Sequence, residues 1–120
     1  MRCKIQMLGP IAILRLAGSL VDAGKRDAFV RELKAARAHD AEGLILDISD
    51  VDLINGAGLG LLLFAQDSWV KDGRVCLCGT NDRLKSIILI CRLNDHFCTH
   101  RTLNEAVRCL FRGDDERPAA

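Results

Sequence analysis

The spacing of apolar residues switches repeatedly between strand type and helix type along this chain of 120 residues. Apolar and polar side chains alternate over residues 3–7, and residues 11–17 form a more continuous apolar run. These patterns predict two strands joined by a turn at Gly9-Pro10. Helical spacing then follows over residues 22–38. Strands that alternate with helices are typical of an α/β fold with a largely parallel sheet, which the opening hairpin makes mixed.

The same alternation continues to the end of the chain. Predicted strands cover residues 44–48, 74–78 and 97–100, and predicted helices cover residues 57–71, 82–91 and a final stretch that begins at Thr102. Thr102 and Glu105 have the spacing of a capping box. We expect one domain over residues 1–112, built on a mixed, mostly parallel sheet of four to five strands with about four helices, and a disordered tail at residues 113–120.

Several boundaries follow from local signals. Gly18 and Ser19 break the apolar pattern, so the second strand is expected to end before them. The third strand is expected to end near Ser49, where a tight loop leads into the next helix. The helix over residues 82–91 is expected to turn four side chains inward: Leu84, Ile87, Ile88 and Cys91.

The charge and hydropathy of the chain limit the classes of binding partner and the cellular location that we expect. The chain has 17 basic and 16 acidic residues, so its charge gives no reason to expect binding to nucleic acid or to an anionic membrane. No apolar run is long enough to cross a bilayer, and residues 1–10 lack the apolar stretch of a signal peptide. We therefore expect a cytoplasmic protein without direct membrane insertion. Its six cysteines are expected to be reduced thiols packed as small apolar side chains: Cys3, Cys76, Cys78, Cys91, Cys98 and Cys109.

Cysteines and histidines in the last third of the chain are candidate metal ligands. His96, Cys98 and His100 alternate and can share one face of a strand, but a metal ion there needs a further ligand. Cys91 and Cys109 are the candidates for that ligand, although no motif supports either of them. An accidental cluster at a sheet edge is the favoured interpretation, and we predict no metal site.

The sequence does not match other common motifs for redox, metal-binding, nucleotide-binding or catalytic sites. Cys76 and Cys78 are expected to form a core-facing pair on one strand, since their spacing fits neither a Cys-x-x-Cys redox pair nor half of a paired zinc site. The glycines at positions 56, 58 and 60 do not have the dinucleotide-binding spacing. Three aspartates are assigned to loop solvation and turn formation: Asp47, Asp50 and Asp52. No Ser–His–Asp or Cys–His motif is present, so the sequence predicts neither an enzyme nor a cofactor.

Residues 46–63 are the most informative segment. A buried strand leads through a short connection into a helix that opens at Asn55. Helix N-termini expose unpaired backbone N–H groups and the positive end of the helix dipole. Asn55 is expected to cap this helix, and Gly58 and Gly60 are expected to let it lie close to the sheet.

This segment resembles the signature of STAS domains, the fold of bacterial anti-sigma-factor antagonists. The family pattern Asp-Leu-Ser corresponds to Asp47-Ile48-Ser49. The pattern Asp-Ser-Ser-Gly-Leu-Gly corresponds to residues 55–60, where Asn55 replaces the aspartate and Gly56 and Ala57 replace the two serines. The likeness extends through residues 72–79, 83–97 and 102–107. The resemblance implies a regulatory module of transcription that docks an anti-sigma factor, which is also a histidine-kinase-like serine kinase. It places the docking contacts at six positions: Ser49, Asn55, Gly56, Ala57, Gly58 and Leu59.

The signature departs from the family at the phosphorylation site. In the regulated antagonists the second serine of the signature receives the phosphate, whereas this chain has Ala57, which has no hydroxyl. The resemblance therefore implies a docking platform without the usual phosphate switch. The alternative is a constitutive STAS scaffold or accessory subunit of a stress-sensing complex or a lipid-transport ATPase. The transport role is suggested by Ala57-Gly58, which resembles the end of the Asp-Thr-Ala-Gly signature of such accessory subunits. A homodimer is also left open.

Overall fold

A sheet of five strands in the order β1-β2-β3-β4-β5 organises the chain. The structure is a computed structural model, and it describes residues 2–20, 26–38, 41–69, 74–79, 82–92 and 97–112. The elements are β1 (Arg2–Leu8), β2 (Ile11–Leu20), α1 (Arg26–Ala38), β3 (Gly43–Ile54), α2 (Gly56–Trp69), β4 (Arg74–Cys78), α3 (Asp82–Ile90), β5 (Cys98–His100) and α4 (Leu103–Arg112). β1 pairs with β2 antiparallel, and every later pair is parallel. The predicted α/β class and mixed sheet are confirmed.

The opening hairpin follows from its sequence. Gly9 adopts a φ of 58°, a conformation that glycine reaches without steric cost, and the strands then pair from Leu8 with Ile11 to Arg2 with Ala17. β1 alternates between half-buried and exposed side chains, whereas β2 begins with four buried residues. β1 is therefore an edge strand with one solvent-exposed face, and β2 is an interior strand of the sheet.

The pleat divides the apolar side chains between two faces of the sheet. One face is the larger core, where strand residues such as Leu14 and Leu46 pack with Phe29, Leu62 and Trp69 of the helices. The other face is a smaller core beneath α4, and it contains Ile13, Ile45, Cys76, Cys78, Cys98, Ala106 and Cys109. The fold is therefore a sheet with α1, α2 and α3 contributing to one core and α4 to the other.

β2 and β3 run further than the sequence indicated. Their parallel pairing continues to Leu20 with Ile54, past irregularities between Arg15 and Ala17 and between Gly18 and Ser19. The expected breaks at Gly18-Ser19 and near Ser49 are therefore wrong. Gly18 takes a φ of 85° at this irregularity, which lets the strand twist and continue instead of ending.

The third helix ends earlier than expected. α3 stops at Ile90, Cys91 lies in the following turn, and Arg92 has a φ of 56°. Cys91 is exposed, so its expected inward position is wrong, because it falls beyond the last helical turn. Leu84 and Ile88 are buried as expected. The predictions for residues 22–25, for residues 70 and 71, for His96 and for the tail at 113–120 concern residues outside the described ranges.

Among the helices of the described ranges, none has the length and apolar character needed to cross a membrane.

α4 begins as the sequence predicted, since the Glu105 N–H donates to Thr102 Oγ1 at 3.2 Å. The Glu105 carboxylate in turn accepts the Arg101 N–H at 3.3 Å, one residue before the capping-box position. The capping interactions therefore fix where α4 starts on the sheet.

Two phenylalanines test the assignment of the larger core. Phe29 is fully buried between α1 and the sheet, whereas Phe111 is 58% exposed on α4. We expect Phe29→Ala to lower the free energy of unfolding by about 3–5 kcal/mol, because it removes an aromatic ring from close packing. Phe111→Ala should change that free energy by no more than about 0.5 kcal/mol. Urea denaturation followed by circular dichroism measures both, and equal losses would contradict the assigned core.

Candidate functional site

The start of α2 is fastened to the end of β2. The Asn55 N–H donates to the Leu20 carbonyl oxygen at 3.3 Å, and the Asn55 side-chain oxygen Oδ1 accepts the Gly58 N–H at 3.1 Å. Asn55 is thus the N-cap residue of the helix, as its sequence position predicted. Because one residue bonds to both the strand end and the helix, the position of the helix start is fixed relative to the sheet.

The glycines of α2 have different roles. A Cβ atom at Gly58 would lie 1.9 Å from the Leu20 carbonyl oxygen, so only glycine fits there without moving the backbone. A Cβ atom at Gly60 or Gly56 would meet no atom of the described residues within 4 Å. The predicted close approach of the helix to the sheet therefore holds at Gly58 and is wrong for Gly60, which faces open space.

A hydrogen-bonded group ordered by Asp47 supports the middle of β3. Asp47 is only 8% exposed, and its Oδ1 accepts the Ser49 N–H at 3.0 Å and also the Ser49 hydroxyl. Asp47 is therefore a buried structural acceptor rather than a loop-solvating group. Asp50 and Asp52 are exposed on β3, and Asp52 Oδ1 accepts the Ser19 hydroxyl at 3.0 Å.

The neighbouring strand β4 reinforces this group. Burial, together with the charge of Asp47 and a hydrogen bond to its carboxylate, raises the pKa of the Cys78 thiol to about 12. Gly79 has a φ of 83°, and a Cβ atom there would lie 2.5 Å from the Ser49 nitrogen. Cys78 is therefore an unreactive thiol at neutral pH that belongs to the support of Ser49.

The six residues expected to dock a partner differ in accessibility. Ser49, Asn55, Gly56 and Ala57 are exposed, Leu59 is half-buried and Gly58 is buried. Five of the six form the continuous helix start, whereas Ser49 lies earlier, on β3. We call the exposed residues Asn55, Gly56 and Ala57 the α2 surface. Gly58 belongs to the support of this surface and not to its accessible part.

The structure also assembles a group that sequence spacing did not join. One ligand-type atom from each of Cys76, Cys98, His100 and Cys109 lies within 4.8 Å of the others, and all four residues are buried beneath α4. The sequence indicated Cys98 with His100 and offered Cys109 as a further ligand, but it did not connect Cys76 with them. The missing information was the pairing of β4 with β5, which places Cys76 beside Cys98.

Comparison with known proteins identifies the fold family. The family model for the STAS domain matches residues 3–106. The chain belongs to the STAS family. A search of curated proteins finds no significant match. The signature segment of this STAS domain forms the second half of β3 and the start of α2.

Solved structures share the STAS fold at low sequence identity. An anti-sigma factor antagonist from Mycobacterium paratuberculosis is 17% identical with a TM-score of 0.80, covering 92% of this chain and 93% of that chain. The Bacillus cell fate determinant SpoIIAA in its phosphorylated form is 17% identical with a TM-score of 0.67, covering 89% and 97%. A sulfate transporter family protein from Wolinella succinogenes is 18% identical with a TM-score of 0.72, covering 86% of each chain.

The two helical glycines provide a matched test of how the STAS helix is seated. Gly58→Ala should lower the free energy of unfolding by at least about 1–3 kcal/mol, because its methyl group overlaps the Leu20 carbonyl. Gly60→Ala should raise that free energy by up to about 1 kcal/mol, since alanine is the better helix former and the site is open. Urea denaturation measures both, and a tolerated Gly58→Ala would contradict the close seating of α2.

Proposed function

We propose that this STAS protein is a non-enzymatic cytoplasmic regulator that docks an anti-sigma factor of the histidine-kinase-like serine kinase class through the α2 surface. The observation that carries the proposal is an exposed helix start that is held rigidly by the fold. Asn55, Gly56 and Ala57 are accessible, while the Asn55 N–H donates to the Leu20 carbonyl oxygen and Asn55 Oδ1 accepts the Gly58 N–H. This is the position at which the antagonist resemblance expects the partner.

Rigidity favours binding at this place. Ordering a loop on association costs free energy, and a segment that is already fixed avoids most of that cost. Asn55 is fixed by its bonds to Leu20 and Gly58, and α2 follows without a flexible connection. Gly56 and Ala57 have at most one side-chain carbon, so the backbone of a partner can approach the helix start closely.

The surroundings of the α2 surface indicate the character of the partner. Leu53 is 53% exposed just before the helix, and Asp50 and Asp52 are exposed on the same strand. An exposed apolar side chain and exposed carboxylates on one strand suit a partner that presents an apolar pocket and basic residues. The carboxylates should mainly increase the rate of association and make it sensitive to salt.

Ala57 sets the expected mode of control. It is exposed in the first turn of α2, where a phosphoryl group would add about −1.5 to −2 charges to the docking surface. A similar structure, that of SpoIIAA, exists in a phosphorylated form, so phosphorylation occurs on this fold. Since Ala57 has no hydroxyl, we infer that the partner cannot release this protein by phosphorylating that position.

Blocking the α2 surface tests the docking site. We expect Ala57→Arg to weaken partner binding by at least about 30-fold, or about 2 kcal/mol, because a long side chain then projects into the interface. The partner is identified by affinity purification and mass spectrometry, and the affinity is measured with the purified pair by calorimetry. The matched control is Ala38→Arg, the same change at an exposed residue that ends α1. Full affinity in Ala57→Arg would refute the α2 surface as the interface.

Restoring a hydroxyl tests the absent switch. With the purified kinase and ATP, the wild-type protein should keep its affinity and gain no phosphate at the α2 surface. Ala57→Ser should become phosphorylated and then lose affinity, because the new charge is placed in the interface. Phosphate incorporation is followed by intact-mass spectrometry. Equal ATP-dependent release of the wild-type protein and of Ala57→Ser would contradict the inferred role of position 57.

A constitutive subunit of a larger assembly is the second candidate function. It is supported by Ala57, since a permanent subunit needs no phosphate acceptor, and by the STAS fold of the Wolinella sulfate transporter family protein. A scaffold layer or a transport accessory subunit would run as a large complex in a native lysate, whereas a docking regulator would run as a monomer, a homodimer or a small complex. Size-exclusion chromatography with immunodetection separates the two candidates.

A further inference from the structure

Four side chains that are common metal ligands converge beneath α4, on the sheet face opposite the larger core. Cys76 comes from β4, Cys98 and His100 come from β5, and Cys109 comes from α4. The parallel register pairs Cys76 with Cys98, so their side chains project from neighbouring strands on the same face. His100 follows Cys98 by two residues and returns to that face because of the strand period.

The four ligand-type atoms are already close together. Cys98 Sγ lies 3.1 Å from His100 Nε2 and 3.5 Å from Cys109 Sγ. All four ligand-type atoms lie within 4.8 Å of one another. In a tetrahedral zinc site with Zn–S bonds of about 2.3 Å, neighbouring sulfur atoms are about 3.8 Å apart. Even the largest separation in the group therefore exceeds this tetrahedral value by only about 1 Å.

The surroundings fit a closed, structural site. All four residues are buried, and apolar side chains surround them, among them Ile45 and Ala106. Burial in an apolar core suits any single cysteine as a small apolar residue. It does not by itself account for three thiols and an imidazole nitrogen that converge on one point. Three sulfur ligands and one imidazole nitrogen form a ligand set found in structural zinc sites.

We propose that Cys76, Cys98, His100 and Cys109 bind one Zn²⁺ ion in a tetrahedral Cys₃His site. On binding, three S–H bonds break and three protons pass to solvent, while three Zn–S bonds form from the resulting thiolates and one Zn–N bond forms from neutral His100 at Nε2. Thiolate sulfur selects zinc over the oxygen-preferring Mg²⁺ and Ca²⁺ ions. No oxidation or reduction occurs, and the bound zinc has no open position for a substrate.

Such an ion would join parts of the chain that are far apart in sequence. β5 has only three residues and lies at the edge of the sheet, and α4 packs over it. The zinc would attach both elements to β4 by metal–ligand bonds. Because the site forms only in the folded chain, the free energy of zinc binding adds to folding stability. This role is separate from docking, since none of the four ligands belongs to the α2 surface.

The wild-type protein provides the direct test. The chain is purified under reducing conditions, treated with a chelator and titrated with Zn²⁺, and native mass spectrometry reports the stoichiometry. We expect one zinc per chain, the loss of three protons, and a higher Tm in the zinc-loaded protein than in the metal-free protein. Substitution by Co²⁺ should give the visible absorption of a tetrahedral site with thiolate ligands. Failure to retain zinc, or retention without a change in Tm, would overturn the proposal.

Matched variants identify the ligands. His100→Ala and Cys109→Ser should each weaken zinc affinity by more than about 10-fold. Mutation of residues that only hydrogen-bond to a metal ligand already has an effect of about that size. His100→Cys should keep tight binding, because it supplies a fourth thiolate. Cys78→Ser is the control, since Cys78 is a buried thiol on the same face of β4 but outside the group. Equal loss of zinc in Cys78→Ser and Cys109→Ser, with native circular dichroism in both, would overturn the assignment.

Discussion

The parallel pairing of β2 with β3 is the interaction on which the rest of this STAS domain depends. It begins at Ile11 with Gly43 and continues, across two irregularities, to Leu20 with Ile54. Its last pair positions the Leu20 carbonyl oxygen, which accepts the Asn55 N–H and lies where a side chain at Gly58 would have to be. If the strands separated earlier, the helix start would follow a loose loop. The length of this pairing therefore determines how rigidly the α2 surface is presented.

The same strand pairing explains why some residues of the signature segment contact the sheet and others are exposed. Positions turned toward the sheet have lost freedom to vary, as at Gly58, where backbone contact excludes even a methyl group. Positions turned outward, Gly56 and Ala57, meet no such limit from the fold itself. Under the proposed docking role, the identity of residue 57 would therefore affect partner binding more than folding stability. Under the same proposal, alanine at this position would alter control by phosphate without altering the scaffold.

Sequence patterns predicted the elements better than their ends. Apolar spacing and the Thr102–Glu105 capping signal identified the helices and strands, because burial and capping are local properties of the chain. The extension of β3 to Ile54 was missed because its side chains there are largely polar or exposed, while the backbone pairing that holds them depends on β2. The convergence of Cys76 with Cys98 was missed for a related reason: the register of β4 with β5 is a long-range property that periodicity does not encode.

β4 contributes to the proposed zinc site and to the support of Ser49 through neighbouring positions on one of its faces. Cys78 bonds to Asp47, which in turn holds the Ser49 N–H, and Cys76 points toward the ligand group under α4. In the parallel register Cys78 pairs with His100 on one side and with Asp47 on the other. An ion that fixed His100 would therefore also restrain the strand that supports Ser49. The α2 surface is held instead by the hydrogen bond to the Leu20 carbonyl oxygen, on the other side of β3. Loss of the metal should therefore loosen β5 at the sheet edge before it disturbs the start of α2.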